Sequence, residues 1–157
     1  MSAGRRRERG SVSIEVAVLA PAFIGLMVLA GVAGRTAVAD EAVESAAHHG
    51  ARAASLARDA DDGEDAAELA ARDQLGWAGL NCAGPPGLDL TGSVAGKPTS
   101  FAAAYRSPAG VPATVTVTVS CTVSFDDLLA PGLPGVLGGK TVTASFTSPL
   151  DIYRSRG

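Results

Sequence analysis

Residues 10–34 read GSVSIEVAVLAPAFIGLMVLAGVAG, the longest apolar run of the chain, and this stretch decides the fold class. Residues 16–34 are 19 consecutive residues without a charge. An α-helix needs about 20 apolar residues to cross the hydrocarbon core of a bilayer, so the run predicts one transmembrane helix. Glu15 directly precedes the uncharged run and would lie in the first turn of the span.

Glu15 has two interpretations. In an ordinary signal anchor the carboxylate lies at headgroup depth, where an ionisable side chain is tolerated. Alternatively, cleavage after Gly10 makes Ser11 the new amino terminus and Glu15 the fifth residue, an arrangement that resembles bacterial type IV prepilins. That resemblance implies that the Glu15 carboxylate pairs with the terminal ammonium of a neighbouring subunit. The pairing is physically reasonable because a charge that leaves water needs a partner.

The amino-terminal residues resemble the signature of TadE-like proteins of the tight adherence (Flp) pilus system, in Arg9-Gly10-Ser11, Glu15, Ala17 and Pro21. Members of that family carry an Ala-rich stretch and a β-rich tail with two cysteines, which correspond here to residues 37–57 and 114–152. The resemblance implies a structural minor pilin or pseudopilin in assembly of a tight adherence type pilus or a related secretion apparatus. It also implies partners: a prepilin peptidase, other pilins or pseudopilins, and the pilus assembly machinery.

Charge predicts the orientation of the chain in the membrane. Arg5, Arg6, Arg7 and Arg9 precede the span, and Arg35 is the one basic residue directly after it. The positive-inside rule therefore puts the amino terminus in the cytoplasm and the carboxyl terminus outside a cytoplasmic membrane crossed once, in contact with membrane lipid. The remainder is acidic on balance, which excludes the basic patch that nucleic acid requires.

Two alternatives to a pilin stay open at this point. Residues 30–34, AGVAG, offer small residues at which a secretory signal could be cleaved. An uncut chain would instead be a single-pass anchored domain that binds another extracytoplasmic component and never polymerises.

The chemistry-bearing residues predict no catalysis. Cys82 and Cys121 are the two cysteines, and an even pair outside the membrane favours a disulfide over two reduced, buried thiols. Neither a zinc-ligand spacing nor a cofactor-binding motif occurs. His48 and His49 are adjacent, so on a helix their side chains diverge and cannot grip one metal ion as an i, i+4 pair does. The sequence predicts a protein that is not an enzyme and has no cofactor.

One long helix is predicted over residues 12–58, because the Ala-rich sequence continues past the span without proline. Pro21 predicts a bend, and Ala30 and Gly34 form a small-xxx-small pair that would let helices approach. The acidic residues 59–65 predict a solvated turn into a second helix with Asp65 as its N-cap, ending near Leu75.

The carboxyl-terminal half predicts strands. Residues 114–125 and 141–147 alternate apolar and polar side chains, and they should pair antiparallel in a small sheet packed on the outer helix. Residues 81–100 are predicted as loops with one short strand at 88–91. The expected fold class is α+β: a long amino-terminal helix with one transmembrane segment, then a small antiparallel sheet. The predicted segments are a basic cytoplasmic leader (1–10), the membrane helix (11–34), extracytoplasmic Ala-rich helices (35–75) and a disulfide-stapled β-rich region (76–157).

Overall fold

A computed structural model describes the backbone of residues 8–80, 82–125 and 138–153, with side chains from residue 14 onward. The fold is α+β, as predicted: a long helix, a shorter helix folded back on it, and a four-stranded antiparallel sheet. The elements in chain order are α1 (Glu8–Leu56), α2 (Ala60–Trp77), β1 (Gly87–Val94), β2 (Lys97–Ser100), α3 (Phe101–Tyr105), β3 (Ala113–Ser124) and β4 (Gly139–Pro149).

The helix α1 has 49 residues, which corresponds to about 74 Å at 1.5 Å per residue. This confirms the single long helix, which is described from Glu8, four residues before the predicted start, and ends two residues earlier than predicted. Helical structure continues through Pro21, so the proline does not end the helix. The bend at Pro21 stays a prediction. The helix has two different halves: an exposed apolar half up to residue 31, and a half from Ala39 onward with a buried face.

The helix α2 begins six residues earlier than the sequence predicts. Asp59 is the N-cap, with extended backbone angles and a side-chain oxygen that accepts the Asp62 N–H at 2.9 Å. The assignment of the N-cap to Asp65 was therefore wrong. Several acidic residues in this stretch have the same capping chemistry, and packing selects among them. Starting at Ala60 places Gly63 in the first turn, where it packs against Tyr105.

The sheet has the strand order β2-β1-β3-β4, and all neighbouring strands are antiparallel. The predicted pairing of the last two strands is confirmed, with a register that runs from Thr114↔Pro149 to Ser124↔Gly139. Every second residue of β3 is buried, as the alternation predicts. The loop that was predicted between these strands lies largely outside the described residues.

Residues 81–100 contain more structure than the sequence predicts. The predicted short strand lies within β1, which forms a hairpin with β2. The helix α3 follows β2 directly, with Ser100 as its N-cap. The hairpin turn is Ala95-Gly96, and both residues have positive φ angles of 50° and 78°. Such turns favour Asn-Gly or Asp-Gly, so an alanine at the first position conceals the hairpin in the sequence.

The core lies between the Ala-rich face of α1 and the Val face of β3, with α2 packed along α1. Gly50 lies where the three elements meet. A Cβ atom on Gly50 would lie 3.2 Å from the Ala67 carbonyl oxygen and 3.3 Å from Val117 Cγ1. Small side chains on α1 thus permit close packing, and the membrane-distal half of the helix becomes part of a globular domain.

Gly63 provides a test of this packing. A Cβ atom there would overlap the Tyr105 hydroxyl and lie 2.9 Å from its Cζ, and that hydroxyl donates a hydrogen bond to the Ala54 carbonyl. Tyr105 is 1% exposed, so its ring has no free space to enter. We expect Gly63→Ala to lower the free energy of unfolding by about 1–3 kcal/mol, because overpacking outweighs the gain in helix propensity.

Denaturant unfolding of the full chain in detergent measures this effect, with Gly76→Ala as the matched control. Gly76 is also in α2, but a Cβ atom there meets nothing within 4 Å. The control should be neutral or stabilising by up to about 1 kcal/mol. Equal stability of the two variants would contradict the packing described for Tyr105.

Candidate functional site

The amino-terminal half of α1 exposes almost all of its large apolar side chains. Among the described residues this is the one helix long and apolar enough to cross a membrane. Apart from Val28, which is half-buried, the exposed fractions of these side chains range from 53% for Leu19 to 75% for Met27. No described element covers them, because the domain first buries α1 side chains fully at Ala39. A surface of this kind needs lipid or neighbouring apolar helices around it, which suggests single-pass anchoring.

Glu15 lies at the far end of this apolar surface. Its side chain is exposed between Ile14 (67% exposed) and Val16 (60% exposed), and it forms no ion pair or hydrogen bond with any described residue. Arg35 is 20 residues further along α1, about 30 Å at 1.5 Å per residue. That length matches the thickness of the hydrocarbon core. Glu15 and Arg35 therefore bracket a membrane-sized stretch of helix.

Arg35 joins the helix to the base of the sheet. Its guanidinium donates a hydrogen bond of 3.3 Å to the carbonyl of Ser124, the last residue of β3. Val32, one turn earlier, packs partly against the core. The sequence identifies Arg35 as a flanking charge only, since its partner is 89 residues away along the chain. The contact shows that the globular domain begins directly where the uncharged run ends.

The predicted processing residues Gly10 and Ser11 have helical backbone near the start of α1. The side chain of Ser11 lies outside the described residues. Cleavage itself stays a prediction.

The two cysteines form a disulfide with a Cα–Cα distance of 5.3 Å. It joins Cys82, in the segment after α2, to Cys121, in the carboxyl-terminal half of β3. Cys121 is 2% exposed. The bond closes 39 residues of sequence that include β1, β2 and α3, so it fixes the sheet to the end of the helical hairpin.

The adjacent histidines do not form a metal site in the described ranges, where no group of three His, Cys, Asp or Glu side chains could hold a metal ion. His48 instead contacts Phe146 of β4, with ring centroids 4.4 Å apart. A surface groove lies beside this contact, and we call it the α1–β4 groove. It is lined by Glu41, Glu44, Ser45, His48 and Phe146. The sequence does not predict it, because its residues come from elements about 100 positions apart.

The amino-terminal geometry can now be compared with known proteins. Residues 10–52 match the family model described as TadE-like protein. This segment is similar to TadE-like proteins. This confirms the resemblance drawn from the signature residues, and the TadE-like match suggests involvement in tight adherence pilus assembly. The matched segment includes Gly10, Ser11, Glu15 and the exposed half of α1, and it ends within the packed half of that helix. It does not include the sheet. Comparisons with curated proteins and with solved structures returned no match.

Proposed function

We propose that the chain is a structural minor pilin or pseudopilin that is assembled into a tight adherence type pilus or a related secretion apparatus. The observation that carries the proposal is the isolated Glu15 carboxylate at the end of a bare apolar helix, within the segment that matches the TadE-like model. A prepilin peptidase would cut after Gly10. The new ammonium of Ser11 would then be available to a neighbouring subunit.

Glu15 would set the register between subunits. When apolar helices pack side by side, a carboxylate among them loses its water and needs a partner. The ammonium of Ser11 on a neighbouring helix supplies the opposite charge. If either charge is missing, the other stays buried without a partner, which strongly destabilises the packed helices. Staggered helices that mispair the two charges are disfavoured for the same reason. The function is therefore mechanical, and it needs no catalytic group or cofactor.

The proposed arrangement in the membrane follows from the two halves of α1. Residues 1–10 form the basic leader in the cytoplasm, and residues 11–34 cross the membrane. The helical hairpin of residues 35–75 and the β-rich region of residues 76–157 lie outside. The bracketing of about 30 Å of helix by Glu15 and Arg35 supports these boundaries, and the positive-inside rule supports the direction.

A second candidate is an anchored extracytoplasmic domain that binds another envelope component and is never processed or polymerised. The observation that favours it is the rigid attachment of the domain to its anchor through the Arg35–Ser124 hydrogen bond and the buried face of α1. In that function α1 holds the domain at the membrane, and the sequence of the helix matters little as long as it spans.

Replacement of the membrane helix distinguishes the two candidates. Cells that lack the chain would be complemented either with the wild type or with a chimera whose residues 11–34 are replaced by an unrelated transmembrane helix. The pilin proposal expects both proteins in the membrane but surface pili or secretion only with the wild type. Full activity of the chimera would contradict a pilin function and support the anchored domain.

A further inference from the structure

The strand β4 forms one edge of the sheet, and within the described part of the chain its outer side pairs with no other strand. Just after β4, Leu150 donates its N–H to the Ala113 carbonyl of β3 at 2.9 Å. Backbone groups alternate in direction along an antiparallel strand, so the N–H groups of Thr143, Ser145 and Thr147 point away from β3. Natural edge strands are usually interrupted by bulges, charges or proline. Because β4 has no bulge, one charge near its start and one proline at its final position, this edge is open to strand addition.

The α1–β4 groove lies on the helix side of that edge and is acidic. Glu41 and Glu44 are exposed, and neither forms an ion pair with a described side chain. They are three positions apart on α1, which puts their Cβ atoms about 5–6 Å apart on one helix face. Phe146 is 38% exposed and forms the apolar wall on the β4 side. Guanidinium groups fit this combination, because they pair with carboxylates and stack on aromatic rings.

The chain contains a matching basic segment shortly after β4. Residues 154–156 read Arg-Ser-Arg; we call them the Arg-Ser-Arg segment, and they lie outside the described residues. In an extended strand, residues two positions apart lie on the same face, about 7 Å from each other. On the β4 edge, Arg154 and Arg156 would both face the helix side, and Ser155 would face the side where β3 and β4 carry threonine and serine. Residues 153–157 contain no proline, so each of them has a backbone N–H to donate.

The Arg-Ser-Arg segment cannot reach the groove of its own copy. The carbonyl of Ile152 accepts the Gly110 N–H at 2.8 Å, which holds the chain beside the loop before β3. A two-residue hairpin that turned directly after Ile152 would place Arg156 opposite residue 151. That position is five residues beyond Phe146, about 16 Å at 3.3 Å per residue, and Arg154 would be further away still. The groove can therefore receive this segment only from another copy.

We propose that the β4 edge and the α1–β4 groove bind the Arg-Ser-Arg segment of a second copy of this chain, with Arg154 and Arg156 facing Glu41 and Glu44. The inference rests on the proposed function, because the contact joins subunits of an assembly. Backbone hydrogen bonds to the edge supply the affinity, and the charged pairs supply the specificity. The two surfaces of this head-to-tail contact differ, so it can continue from copy to copy without closing.

The position of the segment predicts when the contact forms. β4 runs in the same direction as α1, since Arg35 contacts Ser124 at the start of β4 and Ser55 contacts Ser148 near its end. The segment therefore leaves the domain at the end opposite the predicted span. A copy at equal height in a membrane has its groove as far below the segment as the segment's own copy does. Staggered subunits of a filament can be displaced along α1, so the contact belongs to the assembled state.

A zero-length carbodiimide cross-link tests the contact, because it couples an amine to a carboxylate only when the two touch. The double variant Arg154→Lys/Arg156→Lys keeps both charges and introduces amines into the segment. Sheared filaments of this variant would be cross-linked, and the joined peptides of the covalent dimer identified by mass spectrometry. The expected product joins the segment of one copy to Glu41 or Glu44 of another. Wild-type filaments, whose segment contains no lysine, should lack this product.

Charge reversal provides the second readout. We expect Arg154→Glu/Arg156→Glu to lower the filament-associated protein at least about fivefold, because it puts carboxylates opposite carboxylates. Adding Glu41→Arg and Glu44→Arg to that variant should restore the level, since the charges are then complementary again. Restoration also shows that the first variant folds.

A matched control and the possible outcomes separate this inference from the proposed function. The control Arg52→Glu/Arg58→Glu makes the same two reversals at exposed sites away from the groove and should assemble normally. Filaments that contain the chain but yield no such cross-link, with normal levels of Arg154→Glu/Arg156→Glu, would overturn the inference alone. A cross-link within a single copy would overturn the second copy as the occupant. Absence of the wild-type chain from filaments would overturn the proposed function, and the contact with it.

Discussion

Glu15→Gln should lower the amount of this protein in sheared filaments by at least about tenfold and leave its level in the membrane unchanged. The substitution keeps the shape of the side chain and removes its charge. If Glu15 pairs with a neighbouring ammonium, the variant leaves that ammonium buried without a partner, which costs about 2–5 kcal/mol at a desolvated contact. Insertion should not change, because a neutral side chain at this depth is easier to accommodate than a carboxylate. Quantitative immunoblots of membrane and sheared fractions measure both quantities.

Glu64→Gln is the matched control for this experiment. Glu64 is exposed on α2, in the domain outside the predicted membrane span, and should be assembled as the wild type is. Wild-type filament levels of Glu15→Gln would exclude a register function for this carboxylate. Reduced levels of the variant in the membrane fraction would indicate that Glu15 acts in insertion, as in an ordinary anchor.

Loss of the disulfide should have the largest effect on stability. Replacing both Cys82 and Cys121 with alanine removes a cross-link that spans 39 residues. In the loop-entropy model this lowers the free energy of unfolding by about 4 kcal/mol, a large part of the stability of a small domain. The core has few large side chains to compensate, since much of the buried face of α1 is alanine. Guanidinium unfolding of the full chain in detergent gives the difference.

A reductant separates the effect of the cross-link from that of the substitutions. The reductant should destabilise the wild type by a similar amount and leave the double variant unchanged. If the wild type has the same unfolding midpoint with and without reductant, the disulfide does not stabilise the domain.

The elements with strong periodicity could be predicted from the sequence. The uncharged run and the alanines that follow predict α1, and the strict alternation in residues 114–125 predicts β3. These signals are local in sequence, and the alanines of α1 and the valines of β3 that carry them also form the core. The N-cap of α2 was misplaced because Asp59 and Asp65 have the same capping chemistry. The contact that selects between them joins Gly63 to Tyr105, which is 42 positions further along the sequence.

The second hairpin and the groove could not be predicted in the same way. Ala95 occupies a turn position with positive φ that alanine rarely adopts, and β2 has only four residues. The α1–β4 groove depends on the pairing of β4 with β3 and on the packing of both strands against α1. Its residues carry no spacing pattern of their own, so only the tertiary fold brings Glu44 and Phe146 together. By contrast, Glu15 is conspicuous in the sequence because its neighbours are apolar.

The amino-terminal peptide of the mature protein tests the pilin account most directly. The protein would be isolated from membranes of cells with and without their prepilin peptidase, and its first residue determined by mass spectrometry. The account predicts a chain that starts at Ser11 only when the peptidase is present. A chain that keeps its leader and starts at Met1 or Ser2 in both cells would contradict it and leave an anchored envelope domain, and a start near Arg35 would indicate a cleaved secretory signal.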